Sequence, residues 1–257
     1  MRLTPLLLTL LFGLTQNAHS VGLSGKCVKR QIRIAVIDTG FGYSGIKKDT
    51  KLCGIGHTDF SKDHNFIYMR PLSNLIPKDT VGHGTNIVGI IENYAKKSNV
   101  DYCIVILKFY SKDQTDKQNL KASIAAIQFA TELKADFINY SGGGPSENAE
   151  EGRAVRKFLD QGGKFIAAAG NDGEEIGTGD TDFYPAMYDK RIVVVGNLDK
   201  YGVRSKTSNY GRFVNRWEMG EDVTGYGIKL SGTSQATAVA TGKILAASEN
   251  KCTLKKK

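Results

Sequence analysis

At 257 residues, with 35 Lys and Arg against 26 Asp and Glu and a formal net charge of +9, the chain is long enough for one large α/β domain or two small ones. The positive charges are scattered, apart from Lys255–Lys257 and two Lys pairs, and no basic helix or aromatic-interleaved patch occurs. A nucleic-acid partner is therefore not expected, and a solvated basic surface is the default.

The chain opens with Arg2, an apolar run from Leu6 to Phe12, and then Ala18-His19-Ser20. A basic start, a short apolar run and small residues at its end have the pattern of a secretory signal peptide. The run is too short to span a bilayer, and no later stretch is apolar enough to do so. Residues 1–20 are thus expected to be removed. That leaves 21–257 as a single domain in a secreted or periplasmic protein with no membrane attachment. The four cysteines, Cys27, Cys53, Cys103 and Cys252, form no C-x-x-C pair, and the histidines do not fall at zinc spacing. An even number in an exported chain points to two disulfides, with three connectivities open.

Ile32 to Ile37 is a β-rich run that ends in Asp38-Thr39-Gly40. Gly54 to Phe60 reads as a weaker strand, and 61–81, with Pro71 and Pro77, as a surface loop. Gly82-His83-Gly84-Thr85 opens a helical pattern in which Ile87, Val88, Ile90, Ile91, Tyr94 and Ala95 recur at helical spacing. Cys103 to Leu107 is apolar throughout, as a strand buried on both faces would be. Asn119 to Lys134 is an amphipathic helix, and Phe137 to Ser141 a strand that runs into Gly142-Gly143-Gly144-Pro145. Asn148 to Gln161 is a charged helix closed by Gly162-Gly163. Lys164 to Ala169 is a strand ending in Gly170-Asn171-Asp172-Gly173, and Arg191 to Gly196 is another. Finally, Gly232-Thr233-Ser234 turns into a small-residue helix, with Ala236, Val239 and Ala240 spaced to pack one side closely.

Apolar strands alternating with helices predict a parallel sheet covered on both faces. Ligands bind such sheets outside the carboxyl ends of the strands. Asp38, Ser141 to Gly144 and Asn171 follow directly on strands and fall on that rim, while His83 and Ser234 each begin a helix. Acyl transfer needs a nucleophile, a base, a group that orients the base, and donors for an oxyanion. Ser234, His83, Asp38 and Asn171 can supply one part each. Each also has a plain reading. Ser234 could be only a helix cap, Asp38 a turn residue before Gly, His83 a packed polar residue, and Asn171-Asp172-Gly173 a turn. Their co-occurrence favours the chemical reading. A rival lies in Gly40-x-Gly42-x-x-Gly45 after a strand, with Asp59 at a distance suited to a ribose contact. This dinucleotide reading would put the Asp38 charge beside the pyrophosphate, and no clear helix follows Gly45.

Over roughly residues 31 to 250 the chain resembles the subtilisin-like serine proteases, or subtilases. The resemblance rests on Val36-Ile37-Asp38-Thr39-Gly40, Gly82-His83-Gly84-Thr85, Ala168 to Gly173 and Ser231-Gly232-Thr233-Ser234. Weaker matches are Ile138 to Ser141, Tyr184-Pro185-Ala186 and Ser208 to Gly211. The order Asp, His, Ser is subtilisin's own. The resemblance implies a three-layer α/β sandwich with a mostly parallel central sheet and helices on both faces. It implies Ser234 as nucleophile, His83 as base, Asp38 as its orienter, and the Asn171 side chain with the Ser234 N–H as oxyanion donors. It further implies a polypeptide substrate held by Ser141, Gly142, Gly143, Ala169 and Gly170. Gly142 and Gly143 would form one wall of the primary side-chain pocket, with Phe183 near its base where relatives often have a small residue. A shallow pocket for small side chains is then expected, with Asp172, Glu174 and Glu175 as groups that could instead attract a basic one.

Catalysis of this kind needs no cofactor and no metal. Asp172, Glu174, Glu175, Asp180 and Asp182 could hold a structural calcium, though a solvated acidic loop is the favoured reading. The chain departs from the family at Asn86, where a second His is usual, at Ala238, where Pro is usual, and at Glu218-Met219-Gly220 before the nucleophile. Only Val21 to Arg30 stands where exported subtilases carry a long propeptide. An inhibitor or chaperone acting in its place is an expected partner, and the protein is expected to be a monomer. A catalytically inactive, peptide-binding subtilase is the second reading. Fold-level analogy selects Cys27–Cys252 and Cys53–Cys103 as the disulfides.

Overall fold

The computed structural model describes residues 27–43, 50–62, 75–96, 98–179, 181–249 and 252–254. The expected signal peptide lies outside them. The elements in chain order are β1 (Cys27–Lys29), β2 (Ile32–Asp38), β3 (Thr58–Asp59), α1 (His83–Ala95), β4 (Tyr102–Lys108), α2 (Asp116–Glu132), β5 (Phe137–Tyr140) and α3 (Ala149–Asp160). They continue with β6 (Lys164–Ala168), β7 (Val193–Leu198), β8 (Arg216–Met219), β9 (Val223–Gly225), β10 (Ile228–Leu230), α4 (Thr233–Ala246) and β11 (Cys252–Leu254).

Seven strands form one sheet in the order β3-β4-β2-β5-β6-β7-β8, every neighbouring pair parallel. Side chains alternate across a strand, and here both faces are apolar. From β2 and β4, Ile34, Val36, Ile104 and Ile106 pack with Ile87, Ile90 and Ile91 of α1 and Val239 and Ala240 of α4. Ala35, Ile37, Val105 and Leu107 point the other way, against Ile127 and Phe129 of α2 and Val155 and Phe158 of α3. The result is a three-layer sandwich. α2 starts at a capping box: Thr115 Oγ1 accepts from Gln118 N–H, and Gln118 Oε1 accepts from Thr115 N–H. α3 is capped by Asn148, whose side chain accepts from Glu150 and Glu151 N–H.

The strand expected over 54–60 is reduced to Thr58–Asp59, preceded by a single bridge between Leu52 and Ile104. Gly54 and Ile55 bend and Gly56 takes a φ of 102°, so the chain leaves the sheet between its two contacts with β4. β8 and the β9–β10 hairpin were not expected, because their runs are short and half-exposed. Cys53 and Cys103 are joined by a disulfide, their Cα atoms 4.8 Å apart. The backbones of β1 and β11 pair antiparallel, which brings the two chain regions together. The side chains of Cys27 and Cys252, and with them that expected bridge, lie outside the described residues. No described helix is long and apolar enough to cross a membrane.

Candidate active site

Asp38 is the last residue of β2 and is buried, and His83 is the first residue of α1. His83 Nδ1 lies 2.8 Å from Asp38 Oδ1. A carboxylate only accepts, so Nδ1 carries the proton and Nε2 keeps its lone pair. Thr39 N–H donates to the same Oδ1 at 2.7 Å and fixes the carboxylate on its other side. The close approach depends on Gly84: a Cβ there would meet Gly40 O at 2.3 Å and Asp38 Oδ1 at 3.1 Å.

Behind this pair stands Asp79, within the segment 61–81 expected to be a surface loop. It is 1% exposed. Its Oδ1 accepts from Thr39 Oγ1 and from the N–H groups of Val81 and Gly82, and its Oδ2 from Thr85 N–H and Oγ1. Thr39 Oγ1 in turn accepts from Gly84 N–H at 2.8 Å. One carboxylate thus locks the turn that presents His83 to the strand that ends in Asp38. Burial would raise the Asp79 carboxyl, but the hydrogen bonds from Thr85, Gly82 and Val81 outweigh it and hold it below its ordinary value. For His83, burial is the largest influence and disfavours the imidazolium. The Asp38 charge and hydrogen bond, with Asp79 behind, overcome it and raise the pKa above the ordinary histidine value.

Ser234 is the second residue of α4 and is 8% exposed. Its hydroxyl donates to Ser141 O at 3.2 Å, and Ser141 Oγ donates back to Ser234 O at 3.4 Å. Among the described residues no hydrogen bond joins Ser234 to His83. The structure therefore brings Asp38 and His83 together and holds the serine against the end of β5. Asn171 Oδ1 accepts from Thr233 N–H at 2.9 Å and Thr233 Oγ1 at 3.1 Å. That leaves the Asn171 Nδ2 end as the outward donor beside the start of α4, where first-turn N–H groups lack intrahelical acceptors.

Ser141, Gly142 and Gly143 line a cleft of about 750 Å³ that also contains Asp38, Thr39 and His83. Gly144 and Tyr184 close one wall by exchanging backbone hydrogen bonds at 2.9 and 2.8 Å. The Phe183 ring sits between Gly143 and Gly170: a Cβ on either would come within 2.5 or 2.9 Å of it. Ala169 and Gly170 are held by Asn209, whose side chain donates to Ala169 O and whose N–H donates to Gly170 O. Asn209 Oδ1 also accepts from Asp172 and Glu174 N–H, so one buried side chain shapes the whole turn that carries Asn171. Its signal was present in the Ser208-Asn209-Tyr210-Gly211 match.

The departures are absorbed. Asn86 Nδ2 donates to Ile228 O and Val223 O, and its Oδ1 accepts from Gln235 Nε2 at 3.0 Å. α4 runs through Ala238 without interruption. Glu218 accepts from Arg216 and Lys243. Asp59, the ribose contact of the dinucleotide reading, accepts from Ser61 N–H and Oγ instead. In the acidic loop, Asp172 accepts from Asn209, Asp180 lies outside the described residues, and among the described residues no three potential metal ligands converge.

An imidazole oriented by a carboxylate in the lining of a cleft, with a serine at a helix start hydrogen-bonded to Ser141 of the same lining, suits acyl transfer to water. The class is that of hydrolases with a serine nucleophile. The subtilase family profile matches residues 29–253. The major intracellular serine protease of Bacillus subtilis is 29% identical over 234 residues, covering 87% of this chain and 69% of that protein. The minor extracellular protease Epr of the same organism is 30% identical over 230 residues, 86% of this chain and 32% of that longer protein. The crystal structure of a cold adapted subtilisin-like serine proteinase superposes with a TM-score of 0.62 at 25% identity, covering 82% of this chain and 72% of that one. The chain belongs to the subtilase family, and its class is that of the serine-type endopeptidases.

Proposed function

We propose that this chain is an exported endopeptidase that cuts polypeptides through an acyl-enzyme on Ser234. The observation that carries the reading is the Asp38–His83 hydrogen bond, which leaves Nε2 as the free base of a cleft bordered by Ser141 to Gly143. In the reaction the Ser234 hydroxyl exchanges Ser141 O for His83 Nε2 as its acceptor. Its oxygen attacks the scissile carbonyl and its proton passes to Nε2. The carbonyl oxygen takes the negative charge beside Asn171 Nδ2 and the Ser234 N–H. The C–N bond then breaks, Nε2 gives the proton to the leaving amine, and water repeats the sequence to free the acid. Asp38 holds the tautomer and balances the imidazolium charge. An extended peptide pairs with the Ser141–Gly143 backbone, in the manner of a strand added to a sheet edge.

The Phe183 ring between Gly143 and Gly170 makes the primary pocket shallow and favours a small side chain before the cleaved bond. Export rests on the pattern of residues 1–20. Labelling of the purified protein with a fluorophosphonate, with the adduct mapped to Ser234, tests the reading. A folded protein that takes no label and cleaves no peptide is the inactive, peptide-binding alternative.

A further inference from the structure

The cleft continues past Ser141–Gly143 to an end walled by Phe109, Leu120, Tyr140 and Tyr184, and Glu151 stands in that lining. Phe109 and Tyr140 stack with ring centroids 5.5 Å apart and make one side of it rigid and apolar. Glu151 lies in the first turn of α3 and is 3% exposed. Its Oε2 accepts from the Tyr188 hydroxyl at 3.0 Å. Among the described residues its Oε1 has only the Ser123 hydroxyl, at 3.5 Å, and that hydroxyl is also engaged with Tyr140 Oη at 2.9 Å. Two neutral donors leave about half of a carboxylate's acceptor capacity unused. Among the described residues no ion pair reaches Glu151.

A buried carboxyl without a cation weakens a fold, and neither the catalytic pair nor the oxyanion donors use this one. Burial pushes it up to about 7, against the pull of the Tyr188 and Ser123 hydroxyls. The nearby cation on the same helix, Arg156, donates to Tyr188 O at 3.3 Å and makes no ion pair with Glu151. Tyr140 and Tyr188 are both raised by burial and stay neutral. Glu147 acts on Tyr188 and Asp38 on Tyr140, both with negative charge. At the mouth, exposed Asp116 and Lys117 oppose each other. Phe109, Leu120 and Tyr140 give this part of the lining an apolar face, and Glu151 supplies an acidic group within it. Lysine and arginine match it, with a methylene stem and a charged tip. With the Phe183 ring occupying the space between Gly143 and Gly170, this end of the cleft holds the room left for a long side chain.

We propose that Glu151 is a specificity residue that receives the positively charged tip of a lysine or arginine side chain of the bound polypeptide, at a position other than the one at the cleaved bond. The stem lies against Phe109, Leu120 and Tyr140. This rests on the endopeptidase reading above. The test is a positional peptide library cleaved by the full chain, with the readout being the ratio of kcat/KM for lysine or arginine over norleucine at each position. One position away from the cleaved bond should show a ratio of about 30 or more at pH 8, the scale expected for pairing a desolvated charge. Glu151→Gln should bring that ratio close to one, while Glu151→Asp should keep a preference. In the wild type the ratio should shrink between pH 8 and pH 6, as the carboxyl takes up its proton. Cleavage with no basic preference at any position overturns the proposal and leaves the endopeptidase reading intact. So does a ratio that survives Glu151→Gln. Should Glu151→Gln not fold, a wild-type ratio that is flat from pH 6 to 8 overturns it equally. If no peptide is cleaved and no fluorophosphonate is taken up, the endopeptidase reading fails and this proposal fails with it.

Discussion

Two histidines beside the central strands show how the same side chain is given opposite tasks. His57 is 1% exposed, and both its ring nitrogens are used by the backbone. Nδ1 accepts from Ile106 N–H at 3.0 Å, so Nε2 carries the proton and donates to Cys53 O at 2.8 Å. Burial dominates, and the Cys53 hydrogen bond does not offset it, so the His57 pKa is lowered. His83 uses one nitrogen on a carboxylate and turns the other to the cleft, with 27% of its side chain exposed. Its pKa is raised. Peptide groups make a buried imidazole a neutral crosslink, whereas a charge and an opening make it a base.

The largest effects should separate the two sites. His83→Ala and Ser234→Ala should each lose on the order of 10⁶ in kcat, the loss measured for the equivalent changes in subtilisin itself. His57→Leu should leave kcat within about twofold. It should instead lower the free energy of unfolding by about 1–3 kcal/mol, because Ile106 N–H is left buried without an acceptor. A large kcat loss in His57→Leu with an unchanged fold would erase the contrast. Next in size, Asn171→Ala should lose on the order of 10²–10³ in kcat with little change in KM, again subtilisin's own figure for its oxyanion asparagine.

Smaller effects sharpen the electrostatic side. Asp79→Asn removes a charge that helps raise His83, so the acid limb of kcat/KM should move to lower pH in that variant. An unmoved limb would show that Asp79 acts through the turn alone. In the wild type that limb should lie above about 6.5, the ordinary histidine value. The two histidines should also tilt stability in opposite directions. For His83 the folded pKa exceeds the unfolded one, so its contribution is complete below about 6.5 and is lost as the pH rises through the folded value. For His57 the folded pKa is the lower, so stability is lost as the pH falls below about 6.5 toward the folded value. Urea unfolding of Ser234→Ala from pH 5 to 8, with and without His57→Leu, should show the acid-side slope flatten when His57 is gone.

Much of this was legible in the chain. Continuous apolar runs such as Cys103 to Leu107 announce strands covered on both faces. Short Gly-flanked polar stretches at their ends announce a rim. Asp79 was hidden because an Asp shortly before a Gly reads as a turn, and its bonds to Val81, Gly82 and Thr85 are those of a turn; only the Thr39 bond, forty residues away in sequence, ties it to the site. His57 was hidden because nothing in Gly56-His57-Thr58 signals that Ile106, far along the chain, points an N–H at its ring. Glu151 did leave a mark. It stands three, four and seven residues before Ala154, Val155 and Phe158, so it lies on the inward face of α3, although the Glu150-Glu151 pair looks like a solvated one. The Ser234–Ser141 hydrogen bond had no signal, since it depends on the rotamer of a single hydroxyl.

The position of α4 has a consequence in time. Its residues from Thr233 to Gly242 are buried, and it lies against α1 on the sheet face beneath the site. During synthesis the seven strands of the central sheet, Asp38, His83 and the residues that line the cleft all emerge before it. A nascent chain that ends ahead of Leu230 carries Asp38 and His83 but lacks Ser234. The proposed nucleophile arrives after every strand of the seven-stranded sheet, and only its docking arms the enzyme. A protease assembled in that order has no nucleophile until every strand of its central sheet has been made.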